Sequence, residues 1–474
     1  MLFNSLDFVI FFPIVAIVYW LLPHKLRNLF LLCASYYFYM SWNVTYGLLI
    51  LTSTIITWAS ANLLKVGESI SVKKQKYNRI ILLGCLVINL GILFLFKYSN
   101  FIINSINNVS GIFNFGMDVP NLDLLLPVGI SFYTFQAIGY TVDVYRGTIK
   151  PEKNMITYAL FVSFFPQLVA GPIERAKNLL PQFNRKHFFN AEKAILGVEM
   201  MVWGYFMKLC VADRVSLYSD AVFNNLSQHN GASILMASFL FSIQIYCDFC
   251  GYSLIAIGVA KLLGFDLMEN FRRPYFASNL KDFWKRWHIS LSTWFMDYVY
   301  IPLGGNRCSI HRSVMNLFIT FLVSGMWHGA NWTFLIWGAY HGLFVALYTL
   351  KKRYLPTYNY FPFVTKIVNT IITFIVVLFG WIFFRANSVT DALEAIAKIF
   401  FDRGPLFIDP VTIGYSFLSV FILFSREFMI ETNSQLLKSK KLPYLFKSIG
   451  VACFVGIIIL FGIFDGGQFI YFQF

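Results

Sequence analysis

Residues 232–263 read ASILMASFLFSIQIYCDFCGYSLIAIGVAKLL. The stretch contains one acidic residue, Asp248, and one basic residue, Lys261, and all of its other residues are uncharged. A helix needs about 20 consecutive, predominantly apolar residues to cross the hydrocarbon core of a bilayer. This stretch therefore predicts a membrane-spanning helix, and it is one of many such runs in the chain.

The whole chain has the composition of a membrane protein. Of its 474 residues, 58% are hydrophobic and 13% are charged, and the mean hydropathy is +0.63. A soluble domain has about 25% charged residues and no means of burying so much apolar surface. The 38 Lys and Arg residues against 23 Asp and Glu give a formal net charge of +15. We interpret this excess as basic cytoplasmic loops rather than a nucleic-acid surface.

The predicted fold class is all-α, a polytopic integral membrane protein with re-entrant or amphipathic segments. Because several apolar runs are short or interrupted, we expect about eleven of them to cross the bilayer. We expect a single domain over residues 1–474, with a motif-bearing core near 120–345, and a first helix that is retained rather than cleaved. The candidate spans are residues 7–23, 27–42, 44–64, 80–97, 123–143, 155–171, 194–211, 232–263, 312–327, 331–350, 367–384, 408–424 and 447–464.

Basic clusters indicate the orientation of these spans. Lys and Arg residues concentrate at 65–79, 351–353 and 438–447, and short cytoplasmic loops are enriched in these residues. The uncharged link at 41–46 is expected on the outer side. Both ends of the chain are then expected on the outer side as well.

Residues 264–311 differ from the spans on either side of them. The segment mixes charge with aromatic residues, as in Lys281-Asp-Phe-Trp-Lys-Arg-Trp-His288. Non-helical backbone survives at membrane depth only where it packs inside protein or lines a wet cavity. We therefore expect a re-entrant or cavity-lining segment that is amphipathic around residues 283–300.

One histidine lies in a break between two apolar runs. His328 stands in Val323-Ser-Gly-Met-Trp-His-Gly-Ala-Asn-Trp-Thr333, with Gly325 and Gly329 near it in sequence. An ionisable residue at membrane depth is a functional candidate by default. The alternative is a helix-end histidine bonded to a neighbouring carbonyl, and position alone leaves both interpretations open.

His288 is the second candidate, since Lys285, Arg286 and Asp297 make its surroundings locally charged. Its alternative is an interfacial histidine paired with an aspartate or a carbonyl. His341 is expected to serve helix packing, because helical spacing alone rarely makes a site. The other histidines are expected in loops: His24, His187, His229 and His311.

Two carboxylates, Asp248 and Glu174, lie in apolar surroundings. A buried carboxylate needs a partner, and the sequence leaves open whether Asp248 orients a catalytic histidine or pairs with Arg286. Cys247 and Cys250 form a C-x-x-C without a second such pair or an H-x-x-x-H. We therefore predict buried thiols and no metal site.

Six segments, spread over nearly the whole chain, carry a more specific signal. They are Leu126-Pro-Val-Gly-Ile-Ser-Phe-Tyr-Thr-Phe, Phe165-Pro-Gln-Leu-Val-Ala-Gly-Pro-Ile-Glu, Tyr246-Cys-Asp-Phe-Cys-Gly-Tyr-Ser, Phe283-Trp-Lys-Arg-Trp-His-Ile-Ser-Leu-Ser, Gly325-Met-Trp-His-Gly-Ala and Phe469-Ile-Tyr-Phe-Gln-Phe. In this order they resemble the membrane-bound O-acyltransferase family. The bacterial branch that acetylates exported polysaccharide is the most similar one, and the branch that passes D-alanine to teichoic acids has related motifs. The resemblance implies a fold around a central tunnel.

The resemblance also implies roles for individual residues. His328 matches the family's near-invariant histidine and is the expected catalytic base, with His288 at the second polar position. Trp327 and Asn331 are expected to shape the pocket around His328. The segments that match tunnel-lining motifs of the family contribute four more candidates: Tyr246, Asp248, Trp287 and Ser290.

The expected reaction moves an acetyl group from a cytoplasmic thioester, acetyl-CoA or a carrier-protein thioester, to an exported or cell-surface polysaccharide. No bound cofactor is expected, and the location implied is the bacterial cytoplasmic membrane. An extracytoplasmic acetyltransferase partner or the glycan itself would receive the group. Four basic residues are candidates for the donor's phosphates: Arg272, Arg273, Lys285 and Arg286.

Two other functions compete with this expectation. A D-alanyl transferase would use an aminoacylated carrier protein and similar motifs. A glycan or lipid transporter would need the tunnel but no chemistry, and the sequence lacks the inverted repeats that are common in transporters.

Overall fold

The computed structural model describes residues 1–65, 72–116, 118–169, 171–355, 361–432, 444–464 and 469–472. Throughout these ranges the regular structure is helical and no β-strand occurs. The predicted all-α class is therefore confirmed. The basic cluster at 438–447 and part of the cluster at 65–79 lie outside the described side chains.

Twenty α-helices, α1 to α20, follow one another along the described chain. Several are joined by single turns of 3₁₀- or π-helix. Their bounds are Leu6–Leu21, His24–Met40, Val44–Leu63, Val72–Lys97, Ser99–Phe113, Ile130–Tyr145, Met155–Ser163, Phe165–Leu168, Ala176–Phe183, Ala191–Tyr205, Asp213–Phe223, Gly231–Leu262, Leu280–Arg286, Ile289–Phe295, Ile310–His328, Trp332–Tyr354, Pro362–Arg385, Val389–Phe401, Pro410–Thr432 and Tyr444–Phe461.

Seven helical runs of the described chain are long and apolar enough to cross a membrane: Val44–Leu63, Val72–Lys97, Ala191–Phe223, Gly231–Leu262, Trp332–Tyr354, Pro362–Arg385 and Pro410–Thr432. Three shorter apolar helices accompany them, at Leu6–Leu21, Met155–Leu168 and Ser448–Phe461. The chain is thus a multi-pass membrane protein. The expected number of about eleven spans stays a prediction.

Polar caps set where several helices begin. Asn43 accepts a hydrogen bond from the Thr45 N–H at 2.9 Å, and Asn154 accepts one from the Ile156 N–H at 2.9 Å. Such side chains satisfy amide groups that the first helical turn leaves unbonded. An apolar run flanked by Asn or Ser therefore becomes a helix with a defined start.

Two predicted spans are not continuous helices in the structure. The run at 123–143 is extended at first, and its helix begins only at Ile130, after Gly129 takes a left-handed conformation (φ 75°). The run at 155–171 breaks at Phe164 into two short helices. Helices α5 and α18 were absent from the predicted spans because they are amphipathic and too short to be continuous apolar runs.

The first of two compact units comprises residues 1–198 and 256–268. Its core contains a cluster of phenylalanines, in which Phe164 packs edge-on against Phe183 and Phe265 at ring distances of 5.3 and 5.2 Å. Glu174 is buried here, and its carboxylate accepts a hydrogen bond from the Met268 N–H. Burial raises the pKa of Glu174 to about 7.

The second unit comprises residues 199–255 and 269–474. Helices α15 and α16 form a close hairpin in it, because glycines lie where the two backbones meet. A Cβ on Gly325 would come within 2.3 Å of the Phe334 carbonyl oxygen, and one on Gly338 within 2.5 Å of the Phe321 carbonyl oxygen. Small residues at such crossings permit the close helix packing common in membrane proteins. The expectation of one domain over 1–474 stays a prediction.

Candidate active site

His328 is the last residue of α15, and the break that follows it is fixed by its neighbours. Gly329 leaves the helix in an extended conformation, and Asn331 caps α16 by accepting from the Thr333 N–H at 3.1 Å. A Cβ on Gly329 would lie 2.1 Å from the Phe334 ring. The helix break therefore depends on the Gly-Ala-Asn sequence after His328.

Aromatic side chains surround the His328 ring, which is 4% exposed. Its centroid lies 4.9 Å from Trp337, 5.1 Å from Trp327 and 5.4 Å from Phe384. Tyr471, from the 3₁₀ turn near the C-terminus, adds a fourth ring at 5.7 Å. These contacts exclude water from most of the imidazole, so its hydrogen bonds form in surroundings of low dielectric constant.

His288 immediately precedes α14 and takes a left-handed backbone conformation (φ 43°). Non-glycine residues in this conformation are uncommon and cluster at functional sites. The side chain is buried, with 1% of the residue exposed. Its ring lies 4.6 Å from Phe249 and 6.1 Å from Trp327. Trp327 thus packs against both histidines.

Asn270 fixes which nitrogen of His288 carries the proton. Its Oδ1 accepts from the Ser290 N–H at 3.2 Å and from the Ser290 hydroxyl at 2.9 Å, and it lies 3.1 Å from His288 Nδ1. An oxygen that accepts from a backbone N–H is an acceptor toward the imidazole too, so Nδ1 is the donor. We therefore assign the neutral tautomer with a lone pair on Nε2.

Asp248 lies on α12 and pairs with neither a histidine nor Arg286, the partners that the sequence left open. Its Oδ1 lies 2.7 Å from Lys208 Nζ, and its Oδ2 accepts from the Ile470 N–H at 2.7 Å. Lys208 is 2.8 Å from Asp213 as well, and it lies in a π-helical turn, Phe206–Ala212, between α10 and α11. Such turns are frequent at functional sites.

Tyr246 and Trp287 pack together, one ring layer away from the histidines. The Tyr246 hydroxyl donates to Glu427 on α19, and the Tyr246 ring lies 6.2 Å from Trp287. Trp287 contacts Phe271 at 5.1 Å, and Phe271 in turn lies 6.4 Å from His288. Both residues support the site through this packing.

Acidic side chains neutralise three of the four predicted phosphate-binding residues. Arg272 pairs with Glu269 at 2.6 Å. Arg273 and Arg286 share Glu431, at 2.7 and 2.9 Å. The fourth residue, Lys285, is exposed and lies in a different electrostatic setting.

Lys285 belongs to a group of three lysines, Lys281, Lys285 and Lys352. Burial, together with the charges of Lys352 and Lys285, lowers the pKa of Lys281 below its ordinary value. Helix α13 carries two of these lysines and packs against α16, which carries Lys352. In the described part of the chain no carboxylate forms an ion pair with any of the three. We call this group the lysine surface.

A cavity of about 460 Å³ lies beside His328 and shares Phe384 with its aromatic surroundings. Both cations of its lining are ion-paired, Lys208 as described above and Arg385 with Asp220 at 2.7 Å. The lining is Lys208, Ala212, Asp213, Ser216, Asp220, Gln244, Asp248, Ala330, Asn331, Thr333, Phe334, Phe384, Arg385, Ala386, Asn387 and Ile470.

The cysteines of the C-x-x-C, Cys247 and Cys250, are buried free thiols. Across the described ranges no group of three or more His, Cys, Asp or Glu side chains is arranged to hold a metal ion.

The profile of the membrane-bound O-acyltransferase family matches residues 152–390, which include both histidines and every lining residue of the cavity except Ile470. The chain belongs to this family. It is accordingly an O-acyltransferase of the membrane-bound type, and the resemblance drawn from its motifs is confirmed.

Several acyltransferases resemble the chain over more than half of its length. It is 40% identical to a probable alginate O-acetylase of Pseudomonas aeruginosa over 402 residues, 84% of this chain and 75% of the relative. It is 34% identical to a peptidoglycan O-acetyltransferase of Helicobacter pylori, over 84% of this chain and 79% of that protein. A teichoic acid D-alanyltransferase of Bacillus subtilis is 29% identical over 56% of this chain and 71% of its own length.

The structure brings some of the predicted residues of this O-acyltransferase together and separates others. His328, His288 and Trp327 share one aromatic cluster, and Ser290 joins it through Asn270. Asn331 and Asp248 line the cavity. The sequence analysis missed several residues of this region: Lys208, Asp213, Asn270, Glu427 and Tyr471. Lys208 carried a signal, since it is a charged residue in the apolar run 194–211.

Proposed function

We propose that this O-acyltransferase moves an acetyl group from a cytoplasmic thioester, acetyl-CoA, to a hydroxyl of an exported or cell-surface polysaccharide, with His328 as base. The single observation that carries the proposal is the place of His328. It is a buried histidine at a helix break, and a polar cavity is lined by Phe384, which packs on its ring, and by Ala330 and Asn331, which follow it in sequence. The O-acetylating relatives support acetyl as the group and polysaccharide as the acceptor.

In the proposed reaction, His328 takes the proton of the acceptor hydroxyl as its oxygen bonds to the acetyl carbon. The carbon–sulfur bond then breaks, and the departing thiolate recovers the proton from His328. An imidazole enclosed by Trp327, Trp337 and Phe384 stays neutral before the reaction, because burial disfavours the cation. Neutral His328 is therefore ready to accept the proton.

His288 supports the reaction as a hydrogen-bond acceptor. With its Nδ1–H bonded to Asn270, neutral His288 carries its lone pair on Nε2, which would accept a hydrogen bond from the acceptor hydroxyl. Burial lowers the pKa of His288 to about 3, so a cation is disfavoured there as well. We therefore assign His288 to orienting the acceptor hydroxyl rather than to stabilising an oxyanion.

The lining of the cavity favours an acceptor that is rich in hydroxyl groups. Among the described residues, Gln244 Oε1 and Asp213 Oδ2 have no hydrogen-bond donor, and both residues line the cavity. A buried acceptor atom without a donor costs about 1–3 kcal/mol. Hydroxyl groups of a sugar would supply the missing donors.

The lysine surface favours a donor that carries phosphate groups and binds near the end of α16 that is far from Trp332. Lys352 lies 20 residues beyond Trp332 on α16, which at 1.5 Å per residue is about 30 Å along the helix. The two ends of this helix are thus separated by about the thickness of a bilayer core. Because Lys281 and Lys285 are not neutralised by carboxylates, they are better candidates for the phosphates of CoA than the three arginines.

Buried polar groups lie between the lysine surface and His328. Trp284, on the same helix as Lys281, contacts His341 at 5.0 Å, and His341 contacts Trp337 at 4.9 Å. In the described chain both ring nitrogens of His341 and the indole N–H of Trp337 have no hydrogen-bond partner. The amide groups of a pantetheine arm would satisfy them. We place the donor's route along these side chains.

The decisive experiment replaces His328 with alanine. Membranes containing the variant at wild-type abundance are supplied with labelled acetyl-CoA, and acetyl esters on the exported glycan are counted. We expect a loss of at least about 100-fold, the usual contribution of a general base. His311→Ala, an exposed histidine outside the site, is the matched control and should stay fully active. Wild-type acetylation by the His328 variant would overturn the proposal.

D-alanyl transfer from an aminoacylated carrier protein is the second candidate, and the Bacillus subtilis relative is the observation that favours it. Incubating the purified chain separately with acetyl-CoA and with a D-alanyl carrier protein distinguishes the two. Turnover only with the carrier protein would replace acetyl by D-alanyl. Passage of glycan without turnover of either thioester would identify a transporter.

We further propose that the chain lies in the bacterial cytoplasmic membrane, and that the acetyl group reaches the polysaccharide either directly or through an extracytoplasmic acetyltransferase partner. The basic loops that we predict to face the cytoplasm, and the alginate and peptidoglycan named for its relatives, support this placement.

A further inference from the structure

The carboxylate of Asp248 bonds to two parts of the chain that are distant in sequence. One oxygen faces Lys208 Nζ and the other accepts from the Ile470 N–H, each at 2.7 Å. Asp248 is 3% exposed and Lys208 is 1% exposed. A carboxylate has one acceptor oxygen for each donor, whereas an asparagine in this orientation would turn its NH₂ group toward one of them.

Lys208 holds this carboxylate in place. Its ammonium group also contacts Asp213 at 2.8 Å and lies 5.5 Å above the Tyr252 ring. A buried charge with several partners has little freedom to reorient. The orientation of the Asp248 carboxylate is therefore fixed, with its second oxygen toward the Ile470 N–H.

The turn that Asp248 holds, residues 469–471, is packed into the interior. Phe469 is 0% exposed and Ile470 is 5% exposed. Tyr471 packs on Phe249 at 4.5 Å and on His328 at 5.7 Å, while Phe249 packs on His288 at 4.6 Å. The turn thus supplies one ring to the surroundings of His328 and supports another beside His288.

We propose that Asp248 is a positioning residue for acyl transfer: held by Lys208, it anchors the Ile470 amide so that Tyr471 fixes the imidazole of His328. The inference rests on the proposed role of His328 as base. It explains why a carboxylate stands in the middle of an apolar helix without touching a histidine. Tyr471 contributes through its ring rather than its hydroxyl.

A matched pair of variants tests the amide bond directly. Ile470→Pro removes the N–H that Asp248 binds, whereas Ile470→Ala removes a similar apolar volume and keeps the N–H. Proline is tolerated in the first turn of a helix, where Ile470 lies. Both variants leave Lys208, Asp213 and Asp248 intact.

We expect kcat for acetyl transfer by purified, monodisperse protein to fall about tenfold further in Ile470→Pro than in Ile470→Ala, because small misplacements of a catalytic group are costly. The KM for acetyl-CoA should stay within about twofold, since binding is unchanged. Tyr471→Phe should retain activity and Tyr471→Ala should lose it. Equal kcat in the two Ile470 variants, or equal activity in the two Tyr471 variants, would overturn the proposal.

The His328→Ala variant separates this proposal from the proposed function. An active His328→Ala removes the function on which the positioning role rests. An inactive His328→Ala combined with equal Ile470 variants removes only the positioning role. Loss of folded protein in Ile470→Pro is checked by size-exclusion profile, and Tyr471→Phe against Tyr471→Ala then decides the question without proline.

Discussion

At the scale of single residues, burial decides the protonation state of His288. The cation loses its hydration inside the protein, which lowers the pKa of this residue from its ordinary value of 6.5 to about 3. Its bonded neighbour, Asn270, is a neutral amide and supplies no charge to offset that loss. His288 is therefore a neutral hydrogen-bonding group at physiological pH.

This burial predicts a pH dependence of stability. Between pH 6.5 and about 3 the unfolded chain binds a proton at His288 and the folded chain does not, so stability falls as pH decreases. From pH 8 to about pH 5 the loss from this residue is roughly 2 kcal/mol. His288→Asn keeps a donor toward Asn270 without a titrating ring. Between pH 8 and about pH 5, the melting temperature in detergent should decrease less for this variant than for the wild type. An identical decrease would contradict the assignment.

The sequence could nominate charged residues in apolar runs but not their partners. Asp248 stood out because a carboxylate in a span needs compensation. Its partners, Lys208 and the Ile470 amide, lie 40 residues before and 222 residues after it. No local period links such positions, so the sequence left a histidine or Arg286 open and the actual pair unseen. The contacts of His328 were hidden for the same reason, since Tyr471 and Phe384 reach it only through folding.

At the scale of elements, the α15–α16 hairpin places His328. Gly325 and Gly338 allow the two backbones to approach each other, and the break after His328 turns the chain between them. The position of the imidazole is therefore set by backbone packing as well as by side chains.

Gly325→Ala should weaken this hairpin. The added Cβ would meet the Phe334 carbonyl oxygen at 2.3 Å, which requires the helices to separate. Overpacking of this kind costs about 1–3 kcal/mol, so we expect a lower melting temperature in detergent and lower activity. In Gly414→Ala on α19, the new Cβ has no atom within 4 Å, so this control should be as stable as the wild type. Equal stability of both variants would show that the crossing is looser than described.

Most long helices could be predicted from apolar run length, because the bilayer sets that length. Residues 232–263 correspond to Gly231–Leu262, and residues 331–350 to Trp332–Tyr354. The short helices α13 and α14 could not be delimited, since each has only seven residues and no full amphipathic period. The left-handed turn at His288 between them also has no sequence signature, because the residue is not glycine.

At the scale of the whole molecule, the net charge of +15 comes partly from basic residues that form ion pairs and partly from basic residues that do not. Arg273 and Arg286 are held by Glu431, whereas the lysine surface lacks acidic partners in the described chain. Unpaired surface charge attracts anions over distances set by the ionic strength. We therefore expect the lysine surface to attract a negatively charged donor more strongly than the ion-paired arginines do.

Lys285→Gln and Lys352→Gln should each raise the KM for acetyl-CoA about threefold, the size expected for one exposed charge contact. The kcat should not change, because neither residue approaches His328. Added salt should raise the wild-type KM and reduce the difference between wild type and variants. Lys366→Gln, an exposed lysine on α17, is the control. An unchanged KM in both test variants would place the donor's phosphates elsewhere.

The cavity and the aromatic surroundings of His328 meet at Phe384, whereas Asp220, Arg385 and Asn387 line the cavity and are not among the rings that pack on His328. Substitutions at these three positions alter the lining while the rings on His328 stay in place. Natural selection can therefore vary what enters the cavity without rebuilding the base. A division of this kind allows one scaffold to diversify among acceptors during evolution.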